Sequence, residues 1–212
     1  MEKDLFSQAI DSPANLLPKD GEVFLHGRVF DLDDSAKILA ALDENVAWKH
    51  DEAVIFGKRI ATKRKVAWYA DRPFSYTYSK VTRTALPWFP LLLRLKANVE
   101  RICNDSFNSC LLNRYADGNE GMAWHSDAEK DLARHGTIAS LSFGAERKFA
   151  FKHKSTKETV SVFLQNGSLL TMKGRTQDFW LHSIPKSKRI LTPRISLTFR
   201  QIITAEVAQR HK

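Results

Sequence analysis

The sequence predicts an α+β fold in which two helices precede a β-sandwich or jelly roll. Two segments in the first half of the chain carry apolar residues at helical spacing. From Asn108 onward Val and Phe become more frequent, and glycines divide the chain into short runs. Helices followed by seven or more strands are typical of a domain with a layered β core. The length of 212 residues fits one such domain.

The first elements follow from turn residues, a short β pattern and a helix start. Residues 1–20 mix charged, apolar and turn residues and are interpreted as a tail, and a strand is expected around Val23–Phe30. Asp33-Asp34-Ser35 then opens a helix, because such side chains accept hydrogen bonds from the free N–H groups of a first turn. Its apolar stripe consists of Ile38, Leu39, Leu42 and Val46.

A second helix is expected from about Phe89 to Ile102, where Pro90 suits the first turn. Its stripe consists of Leu92, Leu95, Val99 and Ile102. Both stripes are interpreted as core contacts. The segments expected to be strands after this helix are 110–115, 137–143, 148–153, 159–164, 168–172, 178–183 and 194–203.

The charge balance favours a polyanionic partner. The formal net charge is +9, and the sequence pI is about 9.6. Three basic clusters could line one duplex-sized surface, although each could equally be a solvated face. They are Lys58, Arg59, Lys63, Arg64 and Lys65; Arg147, Lys148, Lys152, Lys154 and Lys157; and Lys186, Lys188 and Arg189.

Cysteine content and hydropathy indicate an intracellular protein. Cys103 and Cys110 are the only cysteines, and their spacing fits neither a disulfide framework nor a metal site. No apolar run reaches the roughly 18 residues of a membrane span, and the first 20 residues contain no signal-peptide core. We expect a cytoplasmic location, or a nuclear one if the source is eukaryotic.

The most informative residues are two histidines, one aspartate and two arginines. His125 and Asp127 lie two positions apart, and His182 follows 55 residues after Asp127. Two histidines and one carboxylate form the facial triad of non-heme Fe(II) oxygenases, which leaves three metal positions open. A lone His-x-Asp is a weak signal, but the ordered set with Arg194 and Arg200 downstream is specific.

The strand over 194–203 places its polar residues on one face. A period of two sets Arg194, Ser196, Thr198 and Arg200 on one side and their apolar neighbours on the other. Buried arginines need an anion, and a dicarboxylate co-substrate would supply it. The alternative is a salt bridge inside the barrel to a carboxylate such as Asp178.

At this point the sequence resembles the AlkB family of Fe(II)- and 2-oxoglutarate-dependent nucleic-acid dealkylases, and within it the subgroup that repairs duplex DNA. The resemblance covers roughly residues 50 to 203. Its strings are Ile55-Phe56-Gly57-Lys58, Tyr76-Thr77-Tyr78-Ser79, Asn113-Arg114-Tyr115-x-Asp117-Gly118, His125-x-Asp127-x-Glu129, Ser142-Phe143-Gly144, Phe151-Lys152-His153-Lys154, Gly167-Ser168-Leu169-Leu170, His182-Ser183-x-Pro185 and Pro193-Arg194-x-x-Leu197-Thr198-Phe199-Arg200.

The resemblance implies a double-stranded β-helix, or jelly roll, with N-terminal helices and a nucleotide-recognition lid. The boundaries it suggests are a tail over 1–20 and one dioxygenase domain over 21–212, with the lid at about 50–85 and the jelly-roll core at about 108–203. It implies a monomer that binds DNA, with duplex DNA as the substrate.

The implied reaction is oxidative demethylation of bases such as 1-methyladenine and 3-methylcytosine. It uses Fe(II), 2-oxoglutarate and O2 and releases formaldehyde, succinate and CO2. The alternatives are a demethylase of RNA or single strands, a catalytically silent nucleic-acid-binding relative, and a hydroxylase of a protein or small molecule.

The resemblance also assigns roles residue by residue. His125, Asp127 and His182 would hold the metal, and Asn113, Tyr115, Arg194, Ser196 and Arg200 would bind 2-oxoglutarate. The family pattern usually has Asn where this chain has Ser196, and the shorter hydroxyl could act through a water. The residues implied to bind the substrate are Phe56, Gly57, Tyr76, Tyr78, Glu129, Arg147, Lys152 and Lys154.

The residues implied to bind the substrate are expected to make different contacts. Tyr78 would stack on the flipped base against His125, with Tyr76 lining the same lid. Glu129 would favour a cationic lesion. Phe56, before Gly57, would enter the base stack as an apolar wedge. The structural alternatives are lid packing for these aromatics and a solvated surface for Glu129. Arg147, Lys152 and Lys154 would contact phosphates or simply form a solvated loop.

Overall fold

A jelly roll of two facing sheets, with helices on the outer side of the larger sheet, forms the body of the molecule. The computed structural model describes residues 13–55, 58–78 and 81–203, and for residues 51–55, 58–60, 76–78 and 81–83 it describes the backbone alone. Among the described residues, no helix combines the length and apolar character that crossing a bilayer requires.

The described chain contains three helices and fourteen strands. The helices are α1 (Leu32–Asn45), α2 (Pro90–Cys103) and the single turn α3 (Thr176–Phe179). The strands before α2 are β1 (Glu22–Arg28), β2 (Lys49–Ile55), β3 (Lys58–Ala70), β4 (Ser75–Tyr78), β5 (Val81–Thr84) and β6 (Leu86–Pro87). Those after it are β7 (Ser109–Tyr115), β8 (Met122–His125), β9 (Ile138–Gly144), β10 (Arg147–His153), β11 (Thr159–Leu164), β12 (Ser168–Lys173), β13 (Trp180–Ile184) and β14 (Arg194–Arg200).

The larger sheet has the strand order β1-β12-β9-β14-β7-β3-β2, with β6 beside β3. The smaller sheet has the order β11-β10-β13-β8, and β4 and β5 form a separate ribbon. Neighbours along both strand orders pair antiparallel, as in β14 with β7 and β9, whereas β6 pairs parallel with β3. This arrangement confirms the predicted α+β jelly roll.

Strand β14 shows how the sequence divides the interior into an apolar side and a polar side. Ile195, Leu197 and Phe199 are fully buried in the core between the larger sheet and helices α1 and α2. Arg194 and Ser196, on the alternate positions, are also buried and face the second sheet. The predicted alternation is therefore confirmed, and the polar side chains of the central strand lie inside the jelly roll.

The two predicted helices form with small shifts at their ends. Asp31, rather than Asp33, caps α1, since its carboxylate accepts the N–H of Asp34 at 2.7 Å. Helix α2 begins at Pro90 as expected and buries Leu92, Leu95, Val99 and Cys103. Ile102 is only partly buried. The residue that faces the sheet one turn after Val99 is Cys103.

After α2, two elements differ from the sequence prediction. The expected strand over 178–183 begins as helix α3 and becomes strand β13 only at Trp180. Strand β8, which carries His125, was not predicted because its four residues show no clear alternation of apolar and polar side chains.

The segments assigned to a tail and a lid are connected to the main sheet. Leu17 is buried in the core between the sheets, and the N–H of Leu16 donates to the carbonyl of Val23 at 2.8 Å. Residues 13–20 thus pack on the domain. Strands β2 and β3 of the predicted lid extend the larger sheet beyond β7.

Candidate metal centre

The two histidines of the predicted triad are brought together by strand pairing. Strand β13 pairs with β8 so that His182 lies directly opposite His125. Their ring centroids are 4.2 Å apart. Asp127 follows β8 by two residues, and the candidate ligand atoms of the three side chains all lie within 4.8 Å of one another.

The imidazole of His125 is oriented by a backbone carbonyl. Its Nδ1 lies 2.8 Å from the carbonyl oxygen of Ala123. A proton on Nδ1 satisfies that contact and leaves the lone pair on Nε2, which lies 3.8 Å from Oδ1 of Asp127. A neutral His125 in this tautomer therefore presents a ligand atom to the centre of the triad.

The carboxylate of Asp127 has one oxygen held and one oxygen free. Oδ2 accepts hydrogen bonds from Nε and Nη2 of Arg200, at 3.1 Å and 2.7 Å. Burial raises the pKa of this carboxyl, whereas the charge of Arg200 and its hydrogen bond lower it, and the resulting pKa lies below its usual value. Asp127 is thus an ionised ligand whose Oδ1 remains available.

His182 is buried against an aromatic wall. It is 4% exposed, and Phe149 stacks on its ring with centroids 5.4 Å apart. Burial lowers the pKa of its imidazole to about 4. The side chain is therefore neutral at physiological pH, as a metal ligand must be. Two neutral imidazoles and one carboxylate oxygen fit a facial set of Fe(II) ligands.

A cavity of about 150 Å³ opens beside the triad. Asn113 and Tyr115 of β7 and Ser196 and Arg200 of β14 line its wall. The register of these strands places Ser196 opposite Asn113 and Arg194 opposite Tyr115. The four predicted co-substrate residues that line it therefore share one surface next to the metal ligands.

Arg194, the fifth, lies behind Tyr115. Its guanidinium carbon is 5.6 Å from the centre of the Tyr115 ring, and the side chain is 1% exposed. Nη2 donates to the hydroxyl of Ser142 at 2.9 Å, whereas Nε and Nη1 are buried without a hydrogen-bond partner among the described residues, as is Oδ1 of Asn113. Burial lowers the pKa of Arg194 to about 10, so the group is still a cation at neutral pH. Unpaired donors on a buried cation fit a bound carboxylate.

Arg200 has a partner that the sequence did not reveal. Its guanidinium pairs with Asp127, which is itself a candidate metal ligand. The alternative partner considered from the sequence, Asp178, instead lies 2.9 Å from His135 and 3.6 Å from Arg175. A salt bridge inside the barrel does exist, but it orients Asp127, a candidate metal ligand.

The predicted substrate residues at the mouth of the site are described in part. Glu129 is exposed and lies between the 150 Å³ cavity and a second cavity of about 270 Å³ that extends to His135. Tyr76 and Tyr78 belong to β4, but their side chains fall outside the described part of the structure. Phe56 and Gly57, between β2 and β3, are also outside the described residues.

The structure corrects the interpretation of Arg147 as a phosphate contact. Arg147 is 1% exposed, so it cannot reach a bound strand. Its guanidinium donates to the carbonyl oxygens of Asp117 (3.3 Å), Glu120 (2.8 Å) and Pro185 (3.0 Å). It thereby joins the loop that leads into β8 to the loop that follows β13, which are the two segments next to the histidine ligands.

Glycine permits the close contact of these two loops. A Cβ at Gly118 would lie 1.9 Å from the carbonyl oxygen of Ser187, so only glycine fits there. The N–H of Ser187 donates to the carbonyl of Gly118 at 2.7 Å. Arg147 therefore stabilises a preformed loop pair.

Arg147→Met is expected to lower the free energy of unfolding by about 3 kcal/mol, because three carbonyls lose a charged donor. For a domain of this size, that corresponds to a fall in Tm of roughly 6–12 °C. Thermal unfolding would measure it, with Lys148→Met as the matched control, because Lys148 is the next residue in β10 and is exposed. Equal stability of the two variants, together with weaker DNA binding by Arg147→Met, would restore the phosphate-contact interpretation.

The two predicted lysines of β10 and the following turn differ in their contacts. Lys154 Nζ donates to the carbonyl of Gln177 at 2.7 Å, so its amine is tied to the segment over helix α3. Lys152 Nζ lies 4.4 Å from the ring centre of Trp124. Trp124 was not singled out from the sequence, although its position directly before His125 was visible there.

A jelly roll that presents two histidines and one carboxylate at the inner face of its smaller sheet, beside a buried arginine, defines the class of non-heme iron oxygenases that use a carboxylate co-substrate. The model of the 2OG-Fe(II) oxygenase superfamily matches residues 23–200 of the chain. The chain belongs to this superfamily, whose members use Fe(II), 2-oxoglutarate and O2.

Named relatives refine this placement. The chain is 43% identical over 157 residues to DNA oxidative demethylase ALKBH2 of Mus musculus, covering 70% of this chain and 66% of that one. The identity to ALKBH2 of Homo sapiens is 41% over 157 residues, covering 70% and 60%. The identity to alpha-ketoglutarate-dependent dioxygenase alkB homolog 3 of Homo sapiens is 37% over 190 residues, covering 85% and 66%. The matches to these three relatives thus span about 60% to two thirds of the relatives' own length.

A solved structure supports the fold. The structure of OsALKBH1 superposes with a TM-score of 0.61 at 15% sequence identity, and the match covers 87% of this chain and 99% of that chain. The resemblance to the AlkB family noted from the sequence motifs agrees with these relatives.

Proposed function

We propose that the protein is an oxidative demethylase of N-alkylated bases in DNA, such as 1-methyladenine and 3-methylcytosine. The observation that carries the proposal is the triad of His125, Asp127 and His182, in which Asp127 and His182 are buried and His125 is half-buried, together with the unpaired guanidinium nitrogens of Arg194. Three relatives that are 41–43% identical to this chain over 157 residues are named DNA oxidative demethylases. The basic net charge of +9 supports a nucleic-acid substrate.

The residues of the site divide the work of the reaction. Fe(II) held by the triad would supply the activation of O2. Of the four electrons that O2 accepts, 2-oxoglutarate would give two, leaving as succinate and CO2, and the N-methyl group would give the other two. Asp127 presents one oxygen to the metal position while Arg200 fixes the other. Arg194 would grip the distal carboxylate of 2-oxoglutarate, with Asn113 and Tyr115 beside it.

The substrate side of the site has to select a charged base. One oxygen atom of O2 converts the N-methyl group to a hydroxymethyl group, which leaves as formaldehyde and restores the base. Glu129 lies at the mouth of the cavity and would favour 1-methyladenine and 3-methylcytosine, which are cationic, over normal bases. Tyr78 remains the proposed stacking partner of the flipped base, with Tyr76 beside it.

Ser196 would serve the co-substrate less directly than the Asn of the family pattern. It is 5% exposed, lies opposite Asn113 on one side and Ser142 on the other, and lines the cavity. Its hydroxyl can donate or accept and would reach 2-oxoglutarate through a water. We infer that the substitution leaves the activity in place.

The first experiment compares formaldehyde release from matched single-stranded and duplex oligonucleotides that carry 1-methyladenine. Fe(II), 2-oxoglutarate and ascorbate are supplied, and one control lacks 2-oxoglutarate. Release that requires 2-oxoglutarate supports the proposed chemistry. Release from an RNA oligonucleotide alone would favour an RNA demethylase, and no release from any nucleic acid would contradict the proposed function.

Phe56→Ala is expected to slow demethylation of the duplex by roughly tenfold and to leave the single strand little changed. The reason is that an apolar wedge fills the space of the extruded base only where a stack surrounds it. The rates are measured on the same lesion in both contexts. An equal loss of rate on both substrates, or no loss on either, would contradict the wedge role of Phe56 and the proposed preference for duplex DNA.

We further propose that the protein acts as a monomer in the cytoplasm, or in the nucleus of a eukaryotic source. Its cysteines, Cys103 and Cys110, are buried and unpaired, and burial raises the pKa of both thiols. Buried thiols of this kind are in keeping with a reducing compartment.

A further inference from the structure

We propose that Trp124 and Lys152 form a second nucleic-acid contact, outside the cavity, that receives a nucleotide next to the flipped base. The indole of Trp124 would stack on the neighbouring base, and the ammonium group of Lys152 would contact its phosphate. This proposal rests on the proposed function and names a further part of its substrate site. We call the pair the outer contact.

Strand geometry separates Trp124 from the cavity while keeping it close. Trp124 is the residue before His125 in β8, and successive residues of a strand face opposite sides of the sheet. His125 lines the cavity, so Trp124 faces outward. Strand β8 is also the edge of the smaller sheet, so the outer contact lies where a bound strand can approach.

Trp124 is exposed and at the same time held in place. Its relative exposure is 40%, which is high for the largest apolar side chain. The ammonium group of Lys152 lies 4.4 Å from its ring centre, a cation–π contact that fixes one face of the ring. An exposed aromatic ring with a fixed orientation is the stacking platform that single-stranded nucleic acids use.

The charges around β8 match a polyanion. Lys152 has no carboxylate partner among the residues that the structure describes, and Lys186 packs beside Gly121 at the start of the strand. The acids of the preceding loop are engaged, because Glu120 accepts the N–H of Ala116 at 2.9 Å and Asp117 that of Asn119 at 2.7 Å. A cation free of acidic partners beside an exposed aromatic ring favours a nucleic-acid strand.

The surrounding surface argues against an apolar docking patch. Small residues such as Ala150 and Ser183 separate Trp124 from Phe163, the other exposed aromatic side chain of this face. Phe163 lies on β11 at the opposite edge, roughly 14 Å away across three strand spacings of about 4.8 Å. A single ring with a cation suits one base and one phosphate.

The test compares a methylated oligonucleotide with the methylated mononucleotide, which is too short to reach the outer contact. In wild type, the oligonucleotide should have the higher kcat/KM. Trp124→Ala is expected to reduce that advantage roughly tenfold, mainly through KM, and Trp124→Phe should restore most of it because stacking survives. Phe163→Ala is the matched control and should keep the full advantage.

Salt dependence tests the lysine separately. Lys152→Ala should lower the slope of log affinity against log salt by about one, and Trp124→Ala should leave that slope near the wild-type value. Affinity is measured by fluorescence anisotropy of the oligonucleotide. The proposal would be overturned if Trp124→Ala kept the wild-type ratio of kcat/KM for oligonucleotide over mononucleotide. It would also be overturned if Trp124→Ala and Phe163→Ala lowered that ratio equally.

The two proposals fail in different ways. If wild type binds the oligonucleotide through Trp124 but releases no formaldehyde, the outer contact stands and the demethylase function falls. If wild type demethylates the oligonucleotide and Trp124→Ala behaves like wild type in both assays, the function stands and the outer contact falls.

Discussion

Asp127→Ala is expected to abolish formaldehyde release, with a loss of at least about 1000-fold, and to abolish metal binding. The variant removes the one anionic ligand of the triad, and two neutral imidazoles hold Fe(II) weakly. DNA binding should be largely spared, because Asp127 is 7% exposed and faces the metal position rather than the surface.

The same variant should also be destabilised, for a reason separate from the metal. Arg200 donates two hydrogen bonds to Oδ2 of Asp127, and without that carboxylate a nearly buried cation has lost its partner. Removing one member of a buried pair costs about 3–5 kcal/mol. Asp127→Asn keeps an acceptor oxygen for Arg200, so it should lose metal and activity with a smaller loss of stability.

Three measurements separate these effects. Calorimetry with Mn(II) reports the metal site, denaturant unfolding reports stability, and fluorescence anisotropy reports DNA binding. His182→Ala provides an independent variant on the facing strand, with the same expected loss of turnover and retained DNA binding. Formaldehyde release by either alanine variant at a rate near that of wild type would refute the metal assignment.

Local patterns made much of this site predictable. Period-two alternation placed Arg194 and Ser196 on one face of β14, and the antiparallel register then set them against Tyr115 and Asn113. The metal ligands followed from residue types and their order. The alternation depends on residues of one strand, which is the range that a sequence pattern reports. The triad was recognised from residue types and chain order, although His125 and His182 lie on different strands.

Contacts between distant segments could not be predicted from the sequence. Arg200 reaches Asp127 across 73 positions, and Arg147 reaches Pro185 across 38. Arg147 was taken for a surface residue because it lies in a basic run, but a guanidinium can also satisfy buried loop carbonyls. Strand β8 escaped prediction because four residues are too few to show a period.

Arg194 lacks the hydrogen-bond partners that an arginine with a purely structural role would have. Arg194 is 1% exposed, its side chain makes one hydrogen bond within the described part of the chain, to Ser142, and burial lowers its pKa to about 10. A buried cation with two unpaired guanidinium nitrogens costs free energy that only a bound anion recovers. Arg194 therefore fits a binding role. In the protein without 2-oxoglutarate, its unpaired charge should lower the free energy of unfolding.

Arg194→Met is accordingly expected to have opposite effects on stability and on binding. Without 2-oxoglutarate, Tm should stay level or rise, because an apolar side chain of similar length replaces an unpaired cation. With Mn(II) present and O2 absent, 2-oxoglutarate at 100 times its Kd should stabilise wild type by about 2.7 kcal/mol and raise Tm by roughly 5–10 °C. The variant should show no such rise.

Arg194→Lys sharpens the test, since lysine keeps the charge but loses the planar fork that grips a carboxylate through two hydrogen bonds. It should recover part of the 2-oxoglutarate response, with Kd at least about tenfold weaker than wild type. A marked fall in the Tm of Arg194→Met without 2-oxoglutarate, together with a wild-type response to 2-oxoglutarate, would make Arg194 a structural residue. Because the interior of the jelly roll offers its Nε and Nη1 no partner, the geometry favours the opposite result.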